Sequence, residues 1–388
     1  MKANSLNRRQ LVIAGAAVFL AGCQMVPKTT APTTPPVTTP TPKPGGTSLP
    51  TDTNRHRIAL LVPVSGDNGA VGKGISNAAT MALLDTNADN LRITTYDTAS
   101  GVQTAARRAV ADGNELILGP LMSESVTVVN SIAQSAKIPM ISFSNDTGVA
   151  GPNVFVMGLV PEQVVARTVN YARGKGATRF AALLPEGQYG DREEAALAGS
   201  LLEWGGTLAT TERYARGNTS IISATRRLTA KGGYDTVLIA DGARFAEQAA
   251  DILRPRGSGS TQLMGTELWS GESSVTKASS LRGAWFSSIS DARFKRFADS
   301  YKTRFGGQPY RVSTLGYDSV LLTLRIAQEW KPGKPFPIQR MYDRGGFLGL
   351  DGAFRFGRDG VVERALEVRE VRDGQVVIVS PAPAKFED

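Results

Sequence analysis

Two similar heptapeptides, RIALLVP at 57–63 and RFAALLP at 179–185, constrain this chain more than any other feature. Each is an apolar run of buried-strand length ended by a proline, which cannot continue a ladder of hydrogen bonds. In the first copy there follow a helix from Gly74 to about Asp85, the strand-like LRITTYD (91–97), a helix over Val102 to Ala111 and ELILGP (115–120). The second copy repeats the series with a helix from about Arg192 to Trp204, TLATTERY (207–214), a helix over Ile221 to Ala230 and TVLIAD (236–241). The offset is 122 residues for the first strands and 121 for ELILGP against TVLIAD, and this nearly constant spacing of runs in the same order predicts two lobes of one design. Strands alternating with amphipathic helices predict a parallel sheet covered on both faces, since parallel neighbours need a long crossover.

The stretch from Glu115 to Asp146 holds the clearest unit of this kind. Gly119-Pro120 ends the first strand. Ser123 or Ser125 then suits a helix cap, Glu124 suits the positive end of the helix dipole, and Val126, Val129, Ile132 and Ala133 recur at helical spacing. Pro139 opens a second strand and Ser144-Asn145-Asp146 closes it with turn-forming groups. The two strand ends therefore share one rim of a sheet, where open α/β sheets bind ligands.

Beyond the second copy the pattern changes. GAWFSSIS (283–290) reads as a strand, Phe294, Phe297, Tyr301 and Phe305 fall on one helix face, and a further helix runs from Leu315 to Trp330. GAFRFGRDG, ALEVREV and QVVIVS alternate as antiparallel strands do, with Asp373-Gly374 in a hairpin turn. The chain is expected to cross between lobes more than once.

The first residues are not fold. Lys2, Arg8 and Arg9 precede an apolar run from Leu11 to Leu20, of signal-peptide length and too short for a stable membrane span. Leu20-Ala21-Gly22-Cys23 then resembles a bacterial lipobox, so residues 1–22 are expected to be removed and Cys23, the single cysteine, to carry lipid. One thiol excludes a disulfide framework. Gln24 stands where inner-membrane lipoproteins carry aspartate, which points to the outer membrane. Residues 23–56 form a tether. From Pro27 to Asn54 the composition is Thr and Pro, and at about 3.1 Å per residue such a segment reaches on the order of 80 Å.

Little in the chain suits catalysis. The one histidine, His56, reads as a solvated residue outside the first strand, and no His/Cys cluster offers a zinc site. Gly-x-Ser-x-Gly is absent, and the Gly66–Gly74 segment lacks the Ser or Thr that a phosphate loop needs after Lys73. Ser274–Lys277 reads SVTK, the Ser-x-x-Lys of penicillin-binding enzymes, but without the accompanying Ser-Asp-Asn or Lys-Thr-Gly. Glu193-Glu194, Asp235 and Asp241 read as solvated charge. The net charge of +9 falls to +6 once Lys2, Arg8 and Arg9 are removed. It is spread without runs or interleaved aromatics, so it does not argue for nucleic acid. No metal or cofactor is expected.

IALLVPVSG, ILGPLMSES, PMISFSND, LLPEGQYG and TLGYDSVLL resemble periplasmic binding proteins of the leucine-binding type over most of 57–379. PMISFSND and GLVPEQ (158–163) also resemble the lipoprotein activators of penicillin-binding proteins. The resemblance implies an α/β fold of two Rossmann-like lobes with three interlobe crossovers. It implies lobe 1 from 57–158 and 288–340, lobe 2 from 159–287 and 341–380, and a tail over 381–388. It places a ligand cleft among Ser65, Gly66, Ser123, Ser144, Asn145, Asp146, Gln188, Tyr189 and Glu267, with Thr266 beside the last. Ser123 matches a serine that receptors use on a bound amino acid, Tyr189 a loop aromatic, and Glu267 the acid that meets an amino group. Asp146 departs from the pattern, because an anion there repels a ligand carboxylate. The expected partner is a peptidoglycan-synthesising penicillin-binding protein, with a transported small molecule as the alternative.

Overall fold

The computed structural model describes residues 54–386 except 218 and 256–259. Cys23 and most of the Pro/Thr-rich tether lie outside the described residues.

Lobe 1 opens with β1 (His56–Val62), α1 (Gly69–Thr86), β2 (Leu91–Asp97), α2 (Val102–Ala111), β3 (Leu116–Leu118), α3 (Ser123–Ala133), β4 (Met140–Ser142) and β5 (Val154–Val156). The strands form a parallel sheet in the order β2-β1-β3-β4-β5. The unbroken apolar run of β1 has its reason here. Ile58, Leu60 and Val62 enter one core cluster with residues of α1, whereas Ala59 and Leu61 enter a second cluster with residues of α2 and α3. A strand buried on both faces must be apolar at every position.

Lobe 2 continues with α4 (Pro161–Gly174), β6 (Arg179–Pro185), α5 (Gln188–Trp204), β7 (Thr207–Tyr214), α6 (Ser220–Lys231), β8 (Thr236–Ile239), α7 (Ala243–Leu253), β9 (Gln262–Met264), α8 (Ser273–Lys277) and β10 (Trp285–Ser288). The chain then returns to lobe 1 with α9 (Phe294–Phe305), α10 (Thr314–Ala327), β11 (Phe347–Gly349), β12 (Gly352–Phe356) and β13 (Val362–Arg364). It ends in lobe 2 with β14 (Glu367–Arg372) and β15 (Gln375–Ser380). The second sheet runs β15-β14-β10-β9-β8-β6-β7, with β14 antiparallel to both its neighbours and every other pair parallel.

The echo in sequence is thus an echo in topology, since β2-β1-β3-β4 and β7-β6-β8-β9 have the same order. β6 also divides as β1 does, with Ala181 and Leu183 in one cluster and Phe180, Ala182 and Leu184 in another. Each lobe packs its first helix hard against its first strand. A Cβ on Gly72 would lie 1.9 Å from the Pro63 carbonyl oxygen, and a Cβ on Gly190 1.9 Å from that of Pro185. Only glycine permits so close an approach.

Three connections join the lobes, at 157–160, 289–293 and 365–366. Two buried arginines fasten them together. Arg364 donates to the Met157 carbonyl at 2.5 Å, tying the third connection to the first. Arg369 donates to the Ile289 carbonyl at 2.7 Å and pairs with Asp291, tying the third to the second. Fully buried Asp318 accepts from the Leu350 amide at 2.6 Å, and burial, then the nearby Asp351, raises its pKa above the ordinary carboxyl value.

Several sequence expectations change. Residues 341–364 do not join lobe 2. Met341, Phe354, Phe356 and Val362 enter the core of lobe 1, and the Val156 amide donates to the Gly360 carbonyl at the edge of its sheet. Alternation identified these strands as antiparallel but carried no information on which lobe they cover. His56 is not solvated. It begins β1, is buried, stacks on Trp330 at 3.8 Å and lies 3.0 Å from the Trp330 carbonyl oxygen. Ser123 is the first residue of α3 and Met122 the cap, without a side-chain capping bond.

Candidate functional site

The rims of the two sheets meet at the C-terminal ends of their strands, and α5 supplies the decisive side chains. Its first turn contains Gln188 and Tyr189, which the sequence reading placed in a loop. Because the helix begins there, Tyr189, Arg192 and Glu193 sit at spacings of three and four and share a face.

Arg192 spans the rims. Its Nε and Nη2 donate to both oxygens of Glu162 at 2.7 and 2.8 Å, and Nη2 also donates to the Asn145 carbonyl in lobe 1 at 2.7 Å. The fork of a guanidinium matches a carboxylate in this way. Burial works against the Arg192 charge, but Glu162, with Asp146 and Glu193 beyond it, outweighs burial and raises its pKa above the usual arginine value. Asp146, which stood out in the sequence as an unwelcome anion, therefore faces a cation. Its Oδ1 also accepts from the Gly148 amide.

Behind Arg192 lies an acidic cluster in lobe 2. The Tyr189 hydroxyl donates to Glu267 Oε1 at 3.2 Å and lies 3.1 Å from Thr266 Oγ1. Glu193 is fully buried, which corrects its reading as solvated charge. Both of its carboxyl oxygens, and Oε2 of Glu267, are buried without a hydrogen-bond partner. Burial and then the charge of Glu267 raise the pKa of Glu193 to about 8, and burial raises that of Glu267 to about 7. Burial, then Glu267 and Glu193, pushes the Tyr189 phenol up as well. Asp241, also buried, accepts from Tyr214 at 2.8 Å and Arg216 at 2.9 Å, and the Arg216 guanidinium lies over the Tyr189 ring.

On lobe 1 the hydroxyls are already committed. Ser65 donates to Asp97 at 2.5 Å, a bond that leads in holding the Asp97 pKa down to about 2. Ser144 Oγ accepts from the Asp146 amide, and Ser123 makes only a 3.5 Å contact with Glu124. Gly66 is exposed with φ +64. Among the described residues, no hydrogen bond joins Ser65, Gly66, Ser123 or Gln188 to the Arg192 cluster. The structure thus brings together Ser144, Asn145, Asp146, Tyr189, Thr266 and Glu267 and leaves Ser65, Gly66, Ser123 and Gln188 apart. The sequence reading missed Glu162, Arg192 and Glu193. Starting α5 four residues earlier, at Gln188, would have placed the last two beside Tyr189.

Residues 56–375 match the family described as Periplasmic binding protein, which is most of the chain. The chain belongs to the periplasmic binding protein family. Its structural likeness to solved members is broad. A branched chain amino acid ABC transporter periplasmic ligand-binding protein from Burkholderia xenovorans LB400 is 17% identical, with a TM-score of 0.67, over 84% of this chain and 96% of that one. A solute binding protein from Rhodopseudomonas palustris BisB5, solved with 3,4-dihydroxy benzoic acid, is 18% identical with a TM-score of 0.64, over 86% and 98%. Full-length LpoA from Haemophilus influenzae is 20% identical with a TM-score of 0.66, over 84% of this chain and 59% of LpoA. At such identities the likeness is one of fold. An uncharacterized protein of Rickettsia prowazekii is 31% identical over 173 residues, 44% of this periplasmic binding protein and 46% of the relative. The match therefore spans about half the length of that curated relative. Among the described residues no helix is long and apolar enough to cross a membrane.

Proposed function

We propose that this periplasmic binding protein is a non-catalytic envelope lipoprotein that docks on a peptidoglycan-synthesising penicillin-binding protein and raises its activity. Arg192 is the observation that carries the reading. In a receptor the ligand brings two lobes together, whereas here the protein's own guanidinium joins α5 to the loop after β4. A cleft fastened from within favours a rigid docking body over a trap that opens and closes. The carboxyl groups beside it, Asp146 and Glu162, oppose the carboxylate of a free amino acid. The likeness of PMISFSND and GLVPEQ to activator lipoproteins, and of the fold to LpoA, supports the choice of partner. Cys23 as an outer-membrane anchor and the Pro/Thr-rich tether that precedes β1 would give the domain its reach across the periplasm.

A second reading, a solute-binding lipoprotein of a transporter, is favoured by one observation. The unpartnered oxygens of Glu193 and Glu267 beside Tyr189 offer acceptors to an amine. Calorimetry separates the two. Leucine, isoleucine, benzoate and simple amines are expected to bind no tighter than the millimolar range. A dissociation constant in the low micromolar range, about −8 kcal/mol, would favour the receptor.

A further inference from the structure

Lobe 1 carries a surface that the cleft does not use. Between α1, α9 and the end of β11 lies a groove of about 390 Å³ whose floor is Met81, Phe297, Tyr317 and Leu350. A second groove, of about 330 Å³ and further along α10, is lined by Leu321, Phe347, Leu348 and Phe354. Leu348, a wall of the second groove, and Leu350, in the lining of the first, are two residues apart, so the grooves adjoin, and Leu348 is 58% exposed.

The rim is basic. Arg293 and Arg296 border the first groove and Arg325 the second. Arg293 donates to the Gly349 carbonyl, and Arg325 makes only a 3.5 Å contact with Gln328. Arg296, with Lys295 and Lys302 on the same helix, makes no ion pair among the described residues. The acid at the groove, Asp85, is already engaged by Arg304 at 2.6 Å and by the Tyr317 hydroxyl. Apolar pockets with aromatic floors and arginine rims are where binding energy concentrates in protein interfaces. A leucine more than half exposed on the wall of such a pocket leaves apolar area to bury.

We infer that this double groove is the docking surface for the partner protein, and that its occupant is an acidic segment that seats apolar side chains on either side of Leu348. The complementarity is specific in kind, since unpaired arginines steer an acidic segment and the pockets hold it. This inference rests on the docking function proposed above.

The test uses the full mature chain and each purified bifunctional penicillin-binding protein of the cell. Arg296→Glu and Leu348→Glu alter exposed groups and should leave the circular dichroism and melting temperature unchanged. Arg358→Glu, an exposed change at a separate cavity near β12, serves as control. The expected result is binding of at least one synthase, weakened at least tenfold by Arg296→Glu and by Leu348→Glu and less than twofold by Arg358→Glu. Reversing an acidic partner residue to arginine should restore binding to Arg296→Glu. Undiminished binding by both groove variants would overturn this surface while leaving the docking function standing. No binding by the unaltered chain to any synthase would overturn both. Binding to phosphatidylglycerol vesicles that Arg296→Glu abolishes, without loss of synthase binding, would assign the surface to a membrane instead.

Discussion

Replacing Glu193 with glutamine should change how stability depends on pH. The side chain is fully buried and its pKa is raised from an ordinary value of 4.5 to about 8. Between those values the folded protein holds a proton that the unfolded chain has released. Because the native state binds more protons, stability falls as pH rises through this window, and the benefit of the neutral acid is fully lost above about 8. The slope from one such group is at most about 1.4 kcal/mol per pH unit. Across the window it amounts to a few kcal/mol, a sizeable part of a domain's net stability of about 5–15 kcal/mol. Glutamine keeps the shape and cannot ionise, so Glu193→Gln removes the slope. Urea unfolding at half-unit steps from pH 5.5 to 8.5 measures it, the difference between the two proteins cancelling the titration of distant groups. The variant should gain on the parent by about 1 kcal/mol per pH unit between pH 6 and 8. Parallel stability curves would refute the claim that Glu193 is held neutral by its surroundings.

Arg192→Ala removes three charge-assisted bonds and should lower stability by about 1–3 kcal/mol. Hydrogen exchange should then accelerate at 143–148 and at the start of α5, and unchanged protection there would show that Arg192 does not hold the lobes. Arg364→Ala removes the buried bond to the Met157 carbonyl between the first and third connections, and should cost about 1–3 kcal/mol in chemical denaturation. A loss below about 1 kcal/mol would remove Arg364 from the account of the interlobe connections. Cys23→Ser should abolish lipid attachment, read by mass spectrometry of the mature N-terminus, whereas scrambling 27–54 should leave function in cells intact and deleting most of it should not.

The fold was legible because it is written in period and repetition. RIALLVP and RFAALLP became β1 and β6, and each pairs with the second and third strands of its own series. What composition and alternation do not encode is which distant surface a strand covers, so β11–β13 were assigned to the wrong lobe. The site was legible in part. Asn145, Asp146, Tyr189 and Glu267 lie at strand ends or just beyond them and meet there, as βα units require. Glu193 and His56 were missed for one reason. A charged or polar side chain is normally solvated, and only tertiary neighbours, Glu267 and Tyr189 for one and Trp330 for the other, bury it. Arg192 is a helix residue whose partners, Glu162 and the Asn145 carbonyl, are 30 and 47 positions away.

The most direct measurement is glycan polymerisation and peptide cross-linking by each purified bifunctional penicillin-binding protein, with and without the delipidated mature chain in solution. The account predicts faster product formation by at least one synthase, with diffusion in place of the anchor and no added small molecule. Unchanged rates for every synthase, together with micromolar binding of a solute in the cleft, would contradict it.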